Sequence, residues 1–247
     1  YASLLMEEDT KILSDKIAEL KERNFRAFKI GWGPFGRKSW ALDEKIVRDA
    51  RDDIGSEGML MVDAGGSDAY WKQGYKWALR TAEILADYDV TWFEEALRPD
   101  DLEDFILLRA HSPVPISGGE VLTRRQSFLP WIEKRALDII QPDVTKVGGV
   151  TEQRRIAEMA EDYGVRFIPH GWNTAVGLAT DLQFASAFSG TDLVEYIIGS
   201  PYVDEIVEKK WTLDRDGYLS IPDGPGLGIT LDKDAIEKYT GEKGLRL

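Results

Sequence analysis

The sequence predicts an α/β protein: a (β/α)8 barrel, the TIM-barrel class, followed by an irregular C-terminal tail. Three observations carry this expectation. Short apolar runs alternate regularly with stretches of helical period, the runs number eight, and most are too short and too uniformly apolar to be half-exposed strands. Strands covered on both faces and joined through helices form a parallel sheet, and eight such units suit a barrel.

In chain order the expected strands are Ala2–Met6, Ala27–Trp32, Met59–Asp63, Val90–Glu94, Val114–Ser117, Asp138–Gln141, Val165–Pro169 and Leu193–Tyr196. Between the first two, Thr10–Arg23 places Ile12, Leu13, Ile17 and Leu20 on one face and charges on the other, as a helix lying on a sheet requires. Leu42–Asp53, Tyr70–Asp87, Asp101–His111, Thr123–Arg135, Thr151–Tyr163 and Ala175–Phe188 repeat the pattern. Thr123 and Thr151 read as N-caps, and Gly164 as a C-cap. The first strand begins at the first residues, so the chain is expected to hold no domain ahead of the barrel. Residues 1–210 are assigned to the barrel and 211–247 to the tail. In the tail, Asp214-Arg215-Asp216-Gly217 and the run Ile221 to Gly228 are turn chemistry, expected to lie on the barrel or on something outside this chain.

Composition narrows the function. Against 31 Lys and Arg stand 44 Asp and Glu, a net charge of −13 over 247 residues. That balance repels nucleic acid and anionic membrane, so neither is an expected partner. It also repels an anionic small substrate, unless positive charge is concentrated locally by something like a metal ion. Absence of cysteine excludes disulfides and thiolate metal sites and permits a cytoplasmic location. No apolar run approaches the roughly 18 residues of a spanning helix, and no signal-peptide pattern starts at Tyr1. Trp40, Trp71 and Trp77 read as exposed aromatics serving helix packing or an interface, which leaves a homo-oligomer open.

In this barrel class chemistry sits at the C-terminal strand ends. Asp63 ends strand three, Glu94 strand four, and Glu120 follows strand five. Three converging carboxylates repel unless they are protonated or hold a cation, and buried ones cost several kcal/mol uncompensated. All-oxygen ligands without cysteine favour Mg2+ over Zn2+. Asp143 and His170 end strands six and seven. As neighbours, the carboxylate would fix the tautomer of the ring and raise the basicity of its other nitrogen. Lys29, inside strand two, needs a carboxylate partner, which the acidic cluster can supply. Lys146 is a second cation candidate, and Glu195 on strand eight is placed to bond substrate or pair with a lysine. Trp32 and Trp172 follow strand ends and can form an apolar wall or simply pack. His111, at the end of an amphipathic helix, reads as a surface residue.

Taken together these motifs resemble the barrel domain of the enolase superfamily, mandelate racemase subgroup. The resemblance runs from Tyr1 to about Ile229 and rests on Val-Asp63, Trp-Phe-Glu94-Glu95, Gly-Gly-Glu120, Gln-Pro-Asp143-Val-Thr-Lys-Val-Gly-Gly-Val-Thr, His170 and Pro225-Gly-Leu-Gly228. It implies that Asp63, Glu94 and Glu120 bind Mg2+, that Asp143 and His170 form a dyad, and that Glu195 sits near a substrate carboxylate. It implies abstraction of the α-proton of a small carboxylate substrate, with the ion stabilising the enediolate. Three departures stand out. Lys-x-Lys on strand two is here Lys29-Ile30-Gly31, lacking the second lysine that normally serves as base opposite the histidine. Asp-x-Asn after strand three is Asp63-Ala64-Gly65. The N-terminal capping domain usual in these enzymes is not in this chain.

With one base missing, a one-base β-elimination is favoured over two-base racemisation. The expected reaction is dehydration of a sugar acid to a 2-keto-3-deoxy acid, catalysed by His170, Asp143 and Lys29, with Glu195, Lys146 and Trp172 binding substrate. Alternatives are a racemase, epimerase or cycloisomerase on the same chemistry, and a degenerate barrel acting only as a binding module. A metal-dependent hydrolase barrel would need several histidine ligands and finds one at a strand end.

Overall fold

In the computed structural model, which describes residues 1–241, eight strands lie side by side in one sheet. They are β1 (Ala2–Leu5), β2 (Ala27–Gly31), β3 (Met59–Asp63), β4 (Val90–Glu94), β5 (Ile116–Gly118), β6 (Ile139–Ile140), β7 (Arg166–Phe167) and β8 (Tyr196–Ile197). Between them run α1 (Thr10–Glu22), α2 (Trp40–Ile54), α3 (Tyr75–Ala86), α4 (Leu102–His111), α5 (Arg124–Glu133), α6 (Val150–Asp162) and α7 (Ala175–Ala187). After β8 come the short α8 (Pro201–Asp204) and α9 (Lys233–Thr240).

The strand order is β7-β6-β5-β4-β3-β2-β1-β8, parallel at every pairing. The sheet is curled, because its two ends approach each other. Thr191 Oγ1, ahead of β8, donates to Phe167 O of β7 at 3.0 Å, and Gly171 N donates to Glu195 Oε2 at 2.8 Å. These bonds span the β7–β8 gap, where no ladder pairing occurs among the described residues. Inside the curl, Tyr1, Ala27, Met61, Trp92, Ile139 and Ile168 form one buried cluster. The larger core lies between sheet and helices, where Leu13, Ile17 and Leu20 of α1 join Ile46, Val47 and Ala50 of α2.

Several expectations are corrected here. Ile12 is 45% exposed, because adjacent helical residues lie about 100° apart and Leu13 already takes the inward direction. The N-cap of α6 is Gly149, in the left-handed region at φ +86, and Thr151 lies inside the first turn. Thr123 does cap α5, but by position only, without a side-chain bond. Gly164 stands one residue past the cap of α6 at φ +68, where Val165 N closes back on Ala160 O at 2.9 Å. Residues 70–74 are not helical; α3 starts after Gly74. Trp71 is buried and packs edge-on against Trp77 with ring centres 5.1 Å apart, so these two serve packing.

The tail is not irregular throughout. Asp232 caps α9 by accepting from Ala235 N at 2.9 Å, and Gly241 ends it at φ +70. Val207 and Leu231 form an antiparallel bridge, and Trp211, Leu213 and Leu219 pack against the main core. The last part of the expected tail, 242–247, lies outside the described residues. Among the described residues no helix is long and apolar enough to cross a membrane.

Candidate active site

Backbone pairing continues beyond the strands and sets the neighbours. Ile168 N donates to Ile140 O at 3.1 Å and His170 N to Pro142 O at 3.2 Å. The end of β7 is therefore held beside the end of β6, and His170 Nδ1 lies 2.9 Å from Asp143 Oδ2. Thr145 secures the other oxygen, its backbone N and Oγ1 both donating to Asp143 Oδ1 at 2.8 and 2.6 Å. With Oδ1 so held, Oδ2 is aimed at the ring. The far ring atom, Nε2, lies 2.8 Å from Glu120 Oε2.

Lys29 reaches the same region from mid-strand. Its fully buried ammonium lies 2.5 Å from Glu94 Oε1 and 2.8 Å from Glu195 Oε1. Burial opposes its charge, but Glu195 and then Glu94 outweigh that and hold its pKa well above the ordinary lysine value. In return Glu195, against its burial, is pulled down to about 2 by Lys29 and His170. Gly31, where the second lysine would stand, lies directly beside Asp63. A Cβ there would lie 2.8 Å from Asp63 Cβ, so a side chain at position 31 requires Asp63 to sit differently from where it sits here.

A cavity of about 310 Å3 opens at the strand ends. Lys29, Asp63, Glu120, Lys146, His170, Trp172 and Glu195 line it, with Leu5 and Trp32. Asp143 and Glu94, both buried, reach it through His170 and Lys29. Lys146 Nζ stands 3.7 Å from Asp143 Oδ2 and is partly exposed at the opening. His111 lies away from all this, on the surface against Tyr75 and Leu107 O.

The three acidic residues form one electrostatic cluster, yet as they stand no group of three His, Asp or Glu among the described residues is spaced to hold a metal ion. Each carboxylate has partners. Asp63 accepts from Gly65 N (2.7 Å) and Trp32 Nε1 (3.1 Å). Glu94 accepts from Lys29, Trp92 Nε1 and Gln141 Nε2, and Glu120 from Ser67 Oγ and His170. A carboxylate offers about four lone-pair sites, so acceptor capacity remains. Burial first, then Glu94, push Asp63 well above the usual carboxylate range, which marks negative charge left uncompensated. Oxygen-only donors with unmet negative charge fit a hard divalent cation. His170 is likewise disfavoured as a cation by burial, but Glu120, Glu195 and the Asp143 bond hold it well above its usual value.

Sequence reasoning missed the residues that orient Glu94. Trp92 precedes it by two on β4, hence on the same face, and that spacing was the available signal. It also missed Glu95, whose buried Oε1 accepts from Gly119 N at 2.8 Å, next to Glu120; the paired acids at a strand end were the clue.

The family model described as enolase C-terminal domain-like matches residues 13–235. The chain belongs to this family. Within the family, it is 32% identical over 239 residues to the D-galactarolactone cycloisomerase of Agrobacterium fabrum, covering 92% of this chain and 61% of that protein. It is 34% identical over 176 residues to the D-xylonate dehydratase of Haloferax volcanii, covering 71% and 42%. Among solved structures, the 3,6-anhydro-D-galactonate cycloisomerase of Zobellia galactanivorans superposes with a TM-score of 0.84 at 30% identity, over 97% of this chain and 65% of that one. The chain thus spans only part of each relative.

Proposed function

We propose that this chain is the catalytic (β/α)8 barrel, residues 1–210 with the tail packed on it, of a Mg2+-dependent enzyme that abstracts the α-proton of a sugar acid and eliminates the β-oxygen. Dehydration to a 2-keto-3-deoxy acid is the primary reading. One observation carries it: His170, committed at Nδ1 to Asp143, turns Nε2 toward a cavity that also holds Lys29 and a carboxylate cluster. The dehydratase and cycloisomerase relatives support the same reading.

Asp63, Glu94 and Glu120 would hold the cation, which supplies positive charge to a substrate carboxylate as its α-carbon loses a proton. His170 Nε2 must first leave Glu120 Oε2 and lose its own proton; the neutral ring then takes the α-proton. The C–O bond at the β-carbon breaks, and the departing hydroxide leaves with the proton from Nε2 as water. The enol product tautomerises to the 2-keto acid. Asp143 keeps the ring in the tautomer and orientation this needs. Lys29, clamped between Glu94 and Glu195, and Lys146 at the opening bring positive charge to an anionic ligand that the net charge of the molecule repels.

Cycloisomerisation is the second reading, favoured by the likeness to two cycloisomerases. It shares proton abstraction and differs in the leaving atom, a ring oxygen instead of a free hydroxyl. The test is a sugar-acid panel with Mg2+, followed by proton NMR in D2O, with Glu120→Gln as negative control. His170→Asn is expected to lower turnover about 10²–10⁴-fold with unchanged circular dichroism. Full activity in His170→Asn sinks the proposal, and a folded chain inert across the panel points to a binding module instead.

A further inference from the structure

Trp32 follows β2 with its backbone in the left-handed region, φ +59, a costly conformation for a bulky side chain. Three features hold it there. Its backbone N donates to Asp63 O at 3.0 Å, and its indole Nε1 donates to Asp63 Oδ2 at 3.1 Å. The third is Gly65. A Cβ at that position would lie 2.7, 2.9 and 3.0 Å from Cδ2, Cε2 and Cγ of Trp32. Those atoms belong to the body of the indole, so the ring rests with one face on the bare glycine. Trp32 also lines the cavity at the strand ends. The glycine that replaces a polar residue after β3 therefore makes room for an aromatic wall.

The cavity sorts its chemistry by depth. Lys29, Asp63, Glu120, His170 and Glu195 are all buried, whereas Trp172 and Leu5 are 46% and 49% exposed. Apart from Lys146 at the opening, charge lies at the floor, and carbon lies along the wall and rim. A sugar acid placed with its carboxylate on the floor lays its remaining carbons against the indoles. A linear polyol carries hydroxyls on every side, and a hydroxyl pressed on an indole face loses its hydrogen bonds. A ring turns hydroxyls to its edge and C–H groups to its face, where they meet the negative aromatic surface. It also has fewer rotors to immobilise.

We infer that Trp32 is a specificity-determining residue that selects ring-form sugar acids, lactones or cyclic ethers, over their linear counterparts. The inference rests on the sugar-acid reading above and, within it, favours the branch in which a ring oxygen departs.

Two acids with one carbon skeleton serve as probes: the cyclic ether 3,6-anhydro-D-galactonate and the linear acid D-galactonate. Their binding to the full-length protein with Mg2+ is followed by calorimetry and by quenching of indole fluorescence, in a His170→Asn background to prevent turnover. The ring acid is expected to bind about tenfold tighter. Trp32→Ala lowers its affinity about tenfold and that of the linear acid less than about twofold. Trp32→Phe keeps most of the preference. Equal binding of the two acids, or equal losses for both in a folded Trp32→Ala variant, overturns the inference and leaves the sugar-acid reading standing. Binding of neither acid by the folded protein overturns the inference, and the sugar-acid reading is then decided by the panel.

Discussion

Glu95 illustrates how one residue can support the site without entering the cavity. It sits at φ +46, a backbone state that costs on the order of 1–3 kcal/mol outside glycine. Three bonds hold it: its N on Ser117 O at 3.1 Å, its O receiving Gly66 N at 2.8 Å, and its carboxyl receiving Gly119 N at 2.8 Å. The last bond steadies the loop that carries Glu120. Burial and then Glu120 push this carboxyl well above the usual range, so a neutral amide is a close mimic. Glu95→Ala, leaving a buried N–H unpaired, is expected to lose about 1–3 kcal/mol in urea unfolding, and Glu95→Gln much less. At this scale the sequence disclosed which side chains gather and, among their pairings, chiefly His170 with Asp143. Lys29 with Glu94 and Glu195 was legible as a lysine needing an acid; Trp32 on Asp63 was not, because the bond depends on a backbone state that no local pattern announces.

Among the elements, α2 and the loop before it carry a pH-sensitive contact. Asp43, in the first turn of α2, accepts from Gly36 N at 3.1 Å. Burial raises its pKa from 3.8 to about 6, outweighing that bond and Arg37. The folded state thus binds the proton more tightly than the unfolded one. Relative to Asp43→Asn, the stability of the wild type therefore falls as pH rises from about 4 to about 6 and stays reduced above that. Thermal unfolding of both proteins across that window checks it, and a pH-independent difference would count against it. Element type and order were legible because periods of 3.6 and 2 leave clear traces. Boundaries were less so. β6 and β7 count only two residues each although backbone bonds continue past them to His170 N on Pro142 O, and residues 70–74 are claimed by packing around Trp71 instead of by helix.

At the scale of the whole molecule, the proposed cation should act as a ligand of the folded state. Mg2+ at about 100 times its dissociation constant is expected to add roughly 2.7 kcal/mol of stability, seen as a higher melting temperature. Glu120→Gln should abolish most of that gain, and an equal shift in the variant would locate the ion elsewhere. The alternation of strand and helix, the acidic strand ends and the expectation that His170 meets Asp143 were all readable from the chain alone, because each is written in local period or in residues at successive strand ends. The rest emerges only on folding: that Lys29 is gripped from β4 and from the approach to β8, that the sheet curls until Gly171 meets Glu195, and that Gly31 and Gly65 lie against Asp63 and Trp32. Those contacts join residues tens to more than a hundred positions apart, and only the curvature of the sheet, set by how all its strands twist and pack together, fixes which of them come within bonding distance.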